Sequence, residues 1–229
     1  LGTYLAWSAR FGRGFAERKL RERVAKGKED AARIDERRGI ATVQRPDGPL
    51  IWFHAASVGE SVALLDLIRD ILGDRPDLTV LVTTGTVTSA GIMADRLPEG
   101  ALHQFVPLDA RLFVKAFLDH WRPDLAVWTE SELWPALICD THARGVPMIL
   151  LNARMSKASH DRWRFLRGMA RSLLRRFDLA LVQDDLTEIY LRRLGMPQDR
   201  MKVTGTLKEG AAALPVNAAE LSAVRAEIG

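Results

Sequence analysis

The sequence predicts an α/β fold in which one parallel β-sheet is covered by helices on both faces. Short apolar runs recur along the chain, at 50–54, 79–84, 102–106, 125–129, 148–152, 179–183 and 201–204. Each run is continuous rather than alternating, as expected of strands buried on both sides in a parallel sheet. Stretches with the period of an α-helix lie between them, at 61–72, 87–96, 112–121, 133–144, 163–177 and 186–194, so strand and helix alternate.

The elements follow in order. Residues 1–15 mix aromatic and aliphatic side chains with Arg10 and Arg13, and 19–38 is dense in charge with few large apolar residues. The latter suits an exposed helix and linker, so 1–38 is expected to form a basic helical segment, and the make-up of 1–15 fits an anchor upstream of Leu1. The sheet domain is expected over 39–210. Its helix ends are marked where Gly73, Gly145 and Gly195 are each followed within three residues by a proline, Pro76, Pro147 and Pro197, because glycine closes a helix and proline cannot continue it. Beyond it, 211–229 is expected to be a linker and a terminal helix at 218–228. There is no internal repeat.

Composition narrows the function. Hydrophobic residues make up 47% of 229, enough for a full core. The single Cys139 excludes an internal disulfide and suggests a reducing compartment; the five histidines are scattered without metal-ligand spacing, so no metal and no cofactor is expected. No apolar run approaches the roughly 18 residues that span a bilayer. A net charge of +4 favours anionic partners.

Ligands of open parallel sheets bind beyond the carboxyl ends of the strands, so the loops after each run carry the chemistry. The first loop reads His54-Ala55-Ala56-Ser57-Val58-Gly59-Glu60, where small residues and Gly59 allow a tight turn into a helix. Glu60 would stand at the helix start, either favoured there by the helix dipole or acting as a general base on a substrate hydroxyl. The second, Thr83-Thr84-Gly85-Thr86, offers hydroxyls and amides to a phosphate or sugar, or caps its helix through Thr84 or Thr86; the Gly-Lys-Ser/Thr of a Walker loop is missing. After the fourth run, Glu130 and Glu132 stand two residues apart beside Trp128 and Trp134, surroundings that suit one carboxylate to acid/base work while the other caps the helix. After the fifth, Asn152, Arg154, Ser156 and Lys157 form a set that recognises phosphate or carboxylate. Arg164, Arg167, Arg171 and Arg175 fall three and four apart on one face of the expected helix at 163–177. With no acidic residue interleaved among them, they point to an anionic membrane surface or phosphates.

Taken together, Ser57-Val58-Gly59-Glu60, Thr83-Thr84-Gly85-Thr86, Glu130-Ser131-Glu132-Leu133-Trp134-Pro135 and Asn152-Ala153-Arg154-Met155-Ser156 resemble the N-terminal half of the 3-deoxy-D-manno-octulosonic acid (Kdo) transferases of lipopolysaccharide synthesis. The resemblance runs from about Arg37 to the C-terminus. It implies the N-terminal, Rossmann-like half of a GT-B glycosyltransferase, which receives a lipid A precursor, while CMP-Kdo is held by a C-terminal domain that this chain lacks. It further implies an enzyme of the cytoplasmic face of the bacterial inner membrane, peripheral or anchored by an upstream segment, with 1–38 as its membrane-proximal start and this chain incomplete. The family's Gly-Asn pair and following Lys-Phe-Asp are replaced by Gly205-Thr206-Leu207-Lys208-Glu209, which alters the expected contacts to the interdomain cleft.

By this resemblance the reaction is an inverting, metal-independent transfer of Kdo to a glucosamine hydroxyl. Glu60 and Glu130 are the catalytic candidates, with Glu60 as base. Ser57, Gly59, Thr84, Gly85, Thr86, Glu132, Asn152, Arg154, Ser156 and Lys157 would line the acceptor and donor cleft. The competing class is a non-catalytic nucleotide- or polyanion-binding Rossmann module. The first loop lacks the Gly-x-Gly-x-x-Gly of a dinucleotide site, and no nucleic-acid-binding motif is present, so nucleic acid is not expected as a partner.

Overall fold

A computed structural model describes residues 1–130 and 133–207. Strands β1 Leu50–Ala55, β2 Thr79–Thr84, β3 Ala101–Phe105, β4 Leu125–Thr129, β5 Met148–Ala153, β6 Leu179–Val182 and β7 Met201–Val203 form one sheet in the order β3-β2-β1-β4-β5-β6-β7. All pairings are parallel. The order reverses between β1 and β4, the switch point at which such sheets open a crevice.

Side chains alternate across the pleat, and each face has its own core. Leu50 and Trp52 of β1 join Leu81, Ala126, Trp128, Met148 and Leu150 on one side. That side is covered by α5 Arg111–Trp121, α6 Pro135–Ala143, α8 Arg167–Leu174 and α9 Asp185–Leu194. Phe53 and Ala55 face the other way with Val80 and Val82, under α2 Val58–Ala63, α3 Leu65–Asp74 and α4 Val87–Arg96. α5 shows why these segments are helical: Phe113, Val114, Phe117, Leu118 and Trp121 recur on one stripe and are all buried. An aromatic cluster centres the first core, with Trp52 packed 4.8 Å from Trp128 and 4.9 Å from Phe117 between ring centroids. Truncating Trp52 to Ala would cost roughly 3–5 kcal/mol. Its indole N–H is satisfied by Thr83 Oγ1 at 2.8 Å.

Three features depart from the sequence reading. The expected helix at 61–72 is two helices, α2 and α3, meeting at Leu64, and Gly73 lies inside the last turn of α3. The expected helix at 163–177 is also broken: α7 Lys157–Phe165 ends at Leu166, whose φ of −113° and ψ of 35° are not helical, and α8 follows.

The basic segment at 19–38 is not simply exposed. α1 Gly2–Ala25 packs on α5 and buries Leu20, and a 3₁₀ segment, Ala31–Arg38, buries Glu36 and Arg37 against the sheet. The charges are tolerated because each is paired. Arg37 donates to Glu29 at 2.9 Å and to the carbonyls of Gly85 at 2.7 Å and Val106 at 3.2 Å, and Glu36 accepts from Arg33 and from the Phe105 amide. The linker and helix expected over 211–229, and Ser131, Glu132, Lys208 and Glu209, lie outside the described residues.

Candidate active site

The loops after β1 and β4 meet at the switch point. Ser57 caps α2, its hydroxyl accepting from the Glu60 amide at 3.3 Å, which places Glu60 in the first turn. The Glu60 side chain then bends back. Its Oε2 accepts from the Ala56 amide at 2.8 Å and lies 2.9 Å from the hydroxyl of Thr129, the last residue of β4. That hydroxyl is also 2.9 Å from the His54 carbonyl. One oxygen of Glu60 therefore ties β1 to β4, and among the described residues Oε1 takes no hydrogen bond. Glu60 as a residue is only 6% exposed, so its carboxylate is packed at the strand ends and fixed there by these two bonds.

Gly59 is not the turn residue expected. It lies inside α2, and a Cβ there would meet nothing within 4 Å; the turn is made by the extended backbone of Ser57. Gly85 is the glycine that close approach requires, since a Cβ would stand 3.0 Å from the Ala56 carbonyl oxygen. The loops after β1 and β2 thus touch backbone to backbone. Thr84 and Thr86 both serve the fold: Thr84 Oγ1 is 2.9 Å from His103 Nε2, and Thr86 caps α4 through the Ser89 amide. His103 Nδ1 faces Arg33 Nη2, which can only donate, so the proton sits on Nε2 and goes to Thr84.

Glu130 follows β4 in the left-handed region, φ 54°, with its amide bonded to the Leu151 carbonyl. Asn152 near the end of β5 has φ 52° and is buried, with Oδ1 accepting from the Leu207 amide at 3.1 Å. Left-handed backbone in a non-glycine residue costs on the order of 1 kcal/mol or more; among the described residues these two instances fall at the carboxyl ends of strands, and the third, Arg122 at φ 42°, closes α5. Ser156 caps α7 through Ser159, Lys157 pairs with Asp161 at 2.8 Å, and Arg154 is exposed. Arg164, Arg167, Arg171 and Arg175 are all exposed but divided between the two helices or the residue just after α8, and Arg164 has an acidic neighbour after all, Asp161 at 3.6 Å.

The sequence reading missed His54, Thr129, Trp134 and Asp109 as site residues. His54 is fully buried, its ring 5.9 Å from that of Trp134, and burial pushes its pKa down to about 4. Asp109 accepts from the Ala136 and Leu137 amides and from the Tyr4 hydroxyl, holding the start of α6 to α1; burial raises its pKa. A strand histidine and a loop aspartate carry no signature of their own; position beside the crevice is what singles them out. No group of three or more metal-binding side chains is found among the described residues.

The family model described as 3-Deoxy-D-manno-octulosonic-acid transferase (kdotransferase) matches residues 32–211. The chain is 38% identical over 199 residues to the 3-deoxy-D-manno-octulosonic acid transferase of Rickettsia bellii, covering 87% of this chain and 47% of that protein. It is 40% identical to a probable mitochondrial 3-deoxy-D-manno-octulosonic acid transferase of Arabidopsis thaliana, covering 82% and 43%. It thus spans less than half the length of these relatives. Among solved structures it resembles UDP-GlcNAc 2-epimerase of Neisseria meningitidis, with a TM-score of 0.51 at 12% identity over 70% of this chain and 47% of that one. A putative UDP-N-acetylglucosamine 2-epimerase of Listeria monocytogenes gives 0.52 at 11%, over 77% and 51%. Identities this low speak to the fold alone, and that fold is the Rossmann-like half of the GT-B kind.

Proposed function

Because the chain belongs to the 3-deoxy-D-manno-octulosonic-acid transferase family, we propose that it is the acceptor-side half of an enzyme that moves Kdo from CMP-Kdo to a lipid A precursor, with Glu60 as general base. The observation that carries this is the division of labour within one carboxylate. Oε2 is spent on Ala56 and Thr129, which fixes the group, while Oε1 is left for a substrate proton. A residue serving only to cap α2 would need the first oxygen alone.

In this reading a glucosamine hydroxyl of the acceptor gives its proton to Glu60. Its oxygen attacks the anomeric carbon of Kdo from the face opposite the phosphate, the bond to CMP breaks, and CMP departs with the electron pair, so the configuration inverts. Glu130 and Glu132 position the acceptor. Arg154, Ser156 and Lys157 face its phosphate or a donor-binding domain in the remaining length of the relatives. The exposed arginines 164, 167, 171 and 175 hold the protein to the anionic cytoplasmic face of the inner membrane; no helix among the described residues is long and apolar enough to cross a membrane.

Single-turnover transfer by the complete enzyme tests the base. Glu60→Gln keeps shape but cannot take a proton, so kcat should fall by about 10²–10⁴ while acceptor binding persists. A variant within about threefold of wild type would remove the base from Glu60.

A further inference from the structure

We infer that Thr129 is a positioning residue for the candidate base, an inference that rests on the reading of Glu60 as that base. The Thr129 hydroxyl carries one proton that two acceptors contest, and the proton follows the charge of Glu60.

The cluster is short of a donor. Thr129 Oγ1 lies 2.9 Å from Glu60 Oε2 and 2.9 Å from the His54 carbonyl oxygen, both within hydrogen-bonding range of a hydroxyl. Among the described residues no donor reaches Oγ1. A hydroxyl has a single proton, so it serves one of the two oxygens at a time. Thr83, buried on β2 beside His54, is placed differently. Its neighbours include the Trp52 indole N–H at 2.8 Å, which can only donate, and the Phe53 carbonyl at 3.3 Å, which can only accept. One proton is enough for Thr83, and its hydroxyl serves the fold alone.

Which acceptor holds the Thr129 proton depends on Glu60. A base is ionised before it acts, and a hydrogen bond to a carboxylate is the stronger one, so the proton then lies on Oε2 beside the Ala56 amide. When Glu60 takes the acceptor's proton on Oε1, the acceptor's O–H bond breaks and an O–H bond forms on the carboxyl. The neutral carboxyl is a weaker acceptor, and rotation of the Thr129 hydroxyl about its C–O bond carries its proton to the His54 carbonyl. No heavy atom moves, and the Thr129 proton stays on its own oxygen throughout. Thr129, His54 and Glu60 are all buried, so the hydroxyl makes this adjustment in place of bulk water. The sheet register allows it, since Thr129 ends β4 one residue beyond Trp128, the partner of His54. A threonine that only tied β4 to β1 would use the His54 carbonyl and be indifferent to the charge at position 60.

Transfer kinetics of the complete enzyme test this, with Thr129→Val and Thr129→Ser made in wild type and Thr129→Val also made in Glu60→Gln. Valine keeps the shape of threonine and removes the contested proton, so kcat should fall roughly ten- to a hundredfold while KM stays within about twofold. Serine restores the hydroxyl and should bring kcat to within about threefold of wild type. In the Glu60→Gln enzyme, where the charge is gone, Thr129→Val should cost less than about twofold more. If circular dichroism shows Thr129→Val unfolded, Thr129→Ala replaces it with the same expectations. A Thr129→Val enzyme with wild-type kcat, a Thr129→Ser enzyme as slow as Thr129→Val, or equal losses with and without the Glu60 carboxylate overturns the inference, and the base assignment stands as long as Glu60→Gln is itself impaired. A Glu60→Gln enzyme within about threefold of wild type overturns the base assignment, and the role of Thr129 with it.

Discussion

His54 and His103 stand on opposite faces of the sheet, near its carboxyl edge, and both are kept neutral. Burial drives His54 to about 4, and burial together with the guanidiniums of Arg33 and Arg37 drives His103 to about 3. An unfolded chain, with imidazoles near 6.5, binds protons that the folded chain refuses throughout the interval below 6.5. Their contribution to stability is therefore complete above that value and is lost as the pH falls toward 4 and then 3. Between roughly pH 7.5 and roughly pH 5.5 the loss should be on the order of 1 kcal/mol for His54 and somewhat less for His103, which keeps some solvent contact. Urea unfolding at the two pH values, on wild type and His54→Gln, isolates the first contribution. An identical pH slope in both proteins would show that His54 is not the group responsible. The place of Glu60 at a helix start was legible because small residues and a carboxylate follow an apolar run. His54 was not, because a histidine inside such a run reads as one more strand residue until the neighbouring strands are known.

Helices were located well and divided poorly. Apolar period runs straight through Leu64 and Leu166 with no proline or capping side chain to mark either break, so two pairs of helices were read as two single ones. The break at Leu166 matters for the membrane proposal, because it splits the arginines between α7, α8 and the residue after it and pushes Phe165 outward between them. Near an anionic surface each arginine should contribute about 1 kcal/mol at low salt. Replacing Arg164, Arg167, Arg171 and Arg175 together by Gln should thus weaken binding to phosphatidylglycerol vesicles steeply, with the circular dichroism unchanged. Affinity that survives the fourfold change would mark these side chains as a solvated face. The 3₁₀ segment was the harder element. Charge density is normally a sign of exposure, and nothing local reveals that Arg37 will reach carbonyls contributed by residues 85 and 106.

At the scale of the whole molecule, the alternation of continuous apolar runs with helical stretches was enough to give a parallel sheet, since only helices on both faces can bury such strands. Strand order was not legible: the switch point between β1 and β4 depends on which side of β1 each crossover returns. It is this order that brings Thr129 beside Glu60 across 69 residues of sequence. If the donor is held by the rest of the relatives' length, as proposed, calorimetric titration of this chain with CMP should show no specific heat, and the chain should not turn over CMP-Kdo. Turnover by this chain would refute that division of roles.

The network of Glu29, Arg33, Glu36 and Arg37 also says something about time. The carbonyl that Arg37 meets at Val106 lies 69 residues further along the chain, and a ribosome adding about 5–20 residues per second needs roughly 3–14 seconds to supply it. During that interval the segment has only its own local ion pairs, Arg33 with Glu36 and Arg37 with Glu29, and no sheet to lie on. An apolar segment in the same position would be exposed to aggregation while it waited. Charge, which the finished domain must bury at some expense, is what keeps this stretch hydrated until β2 and β3 have been made.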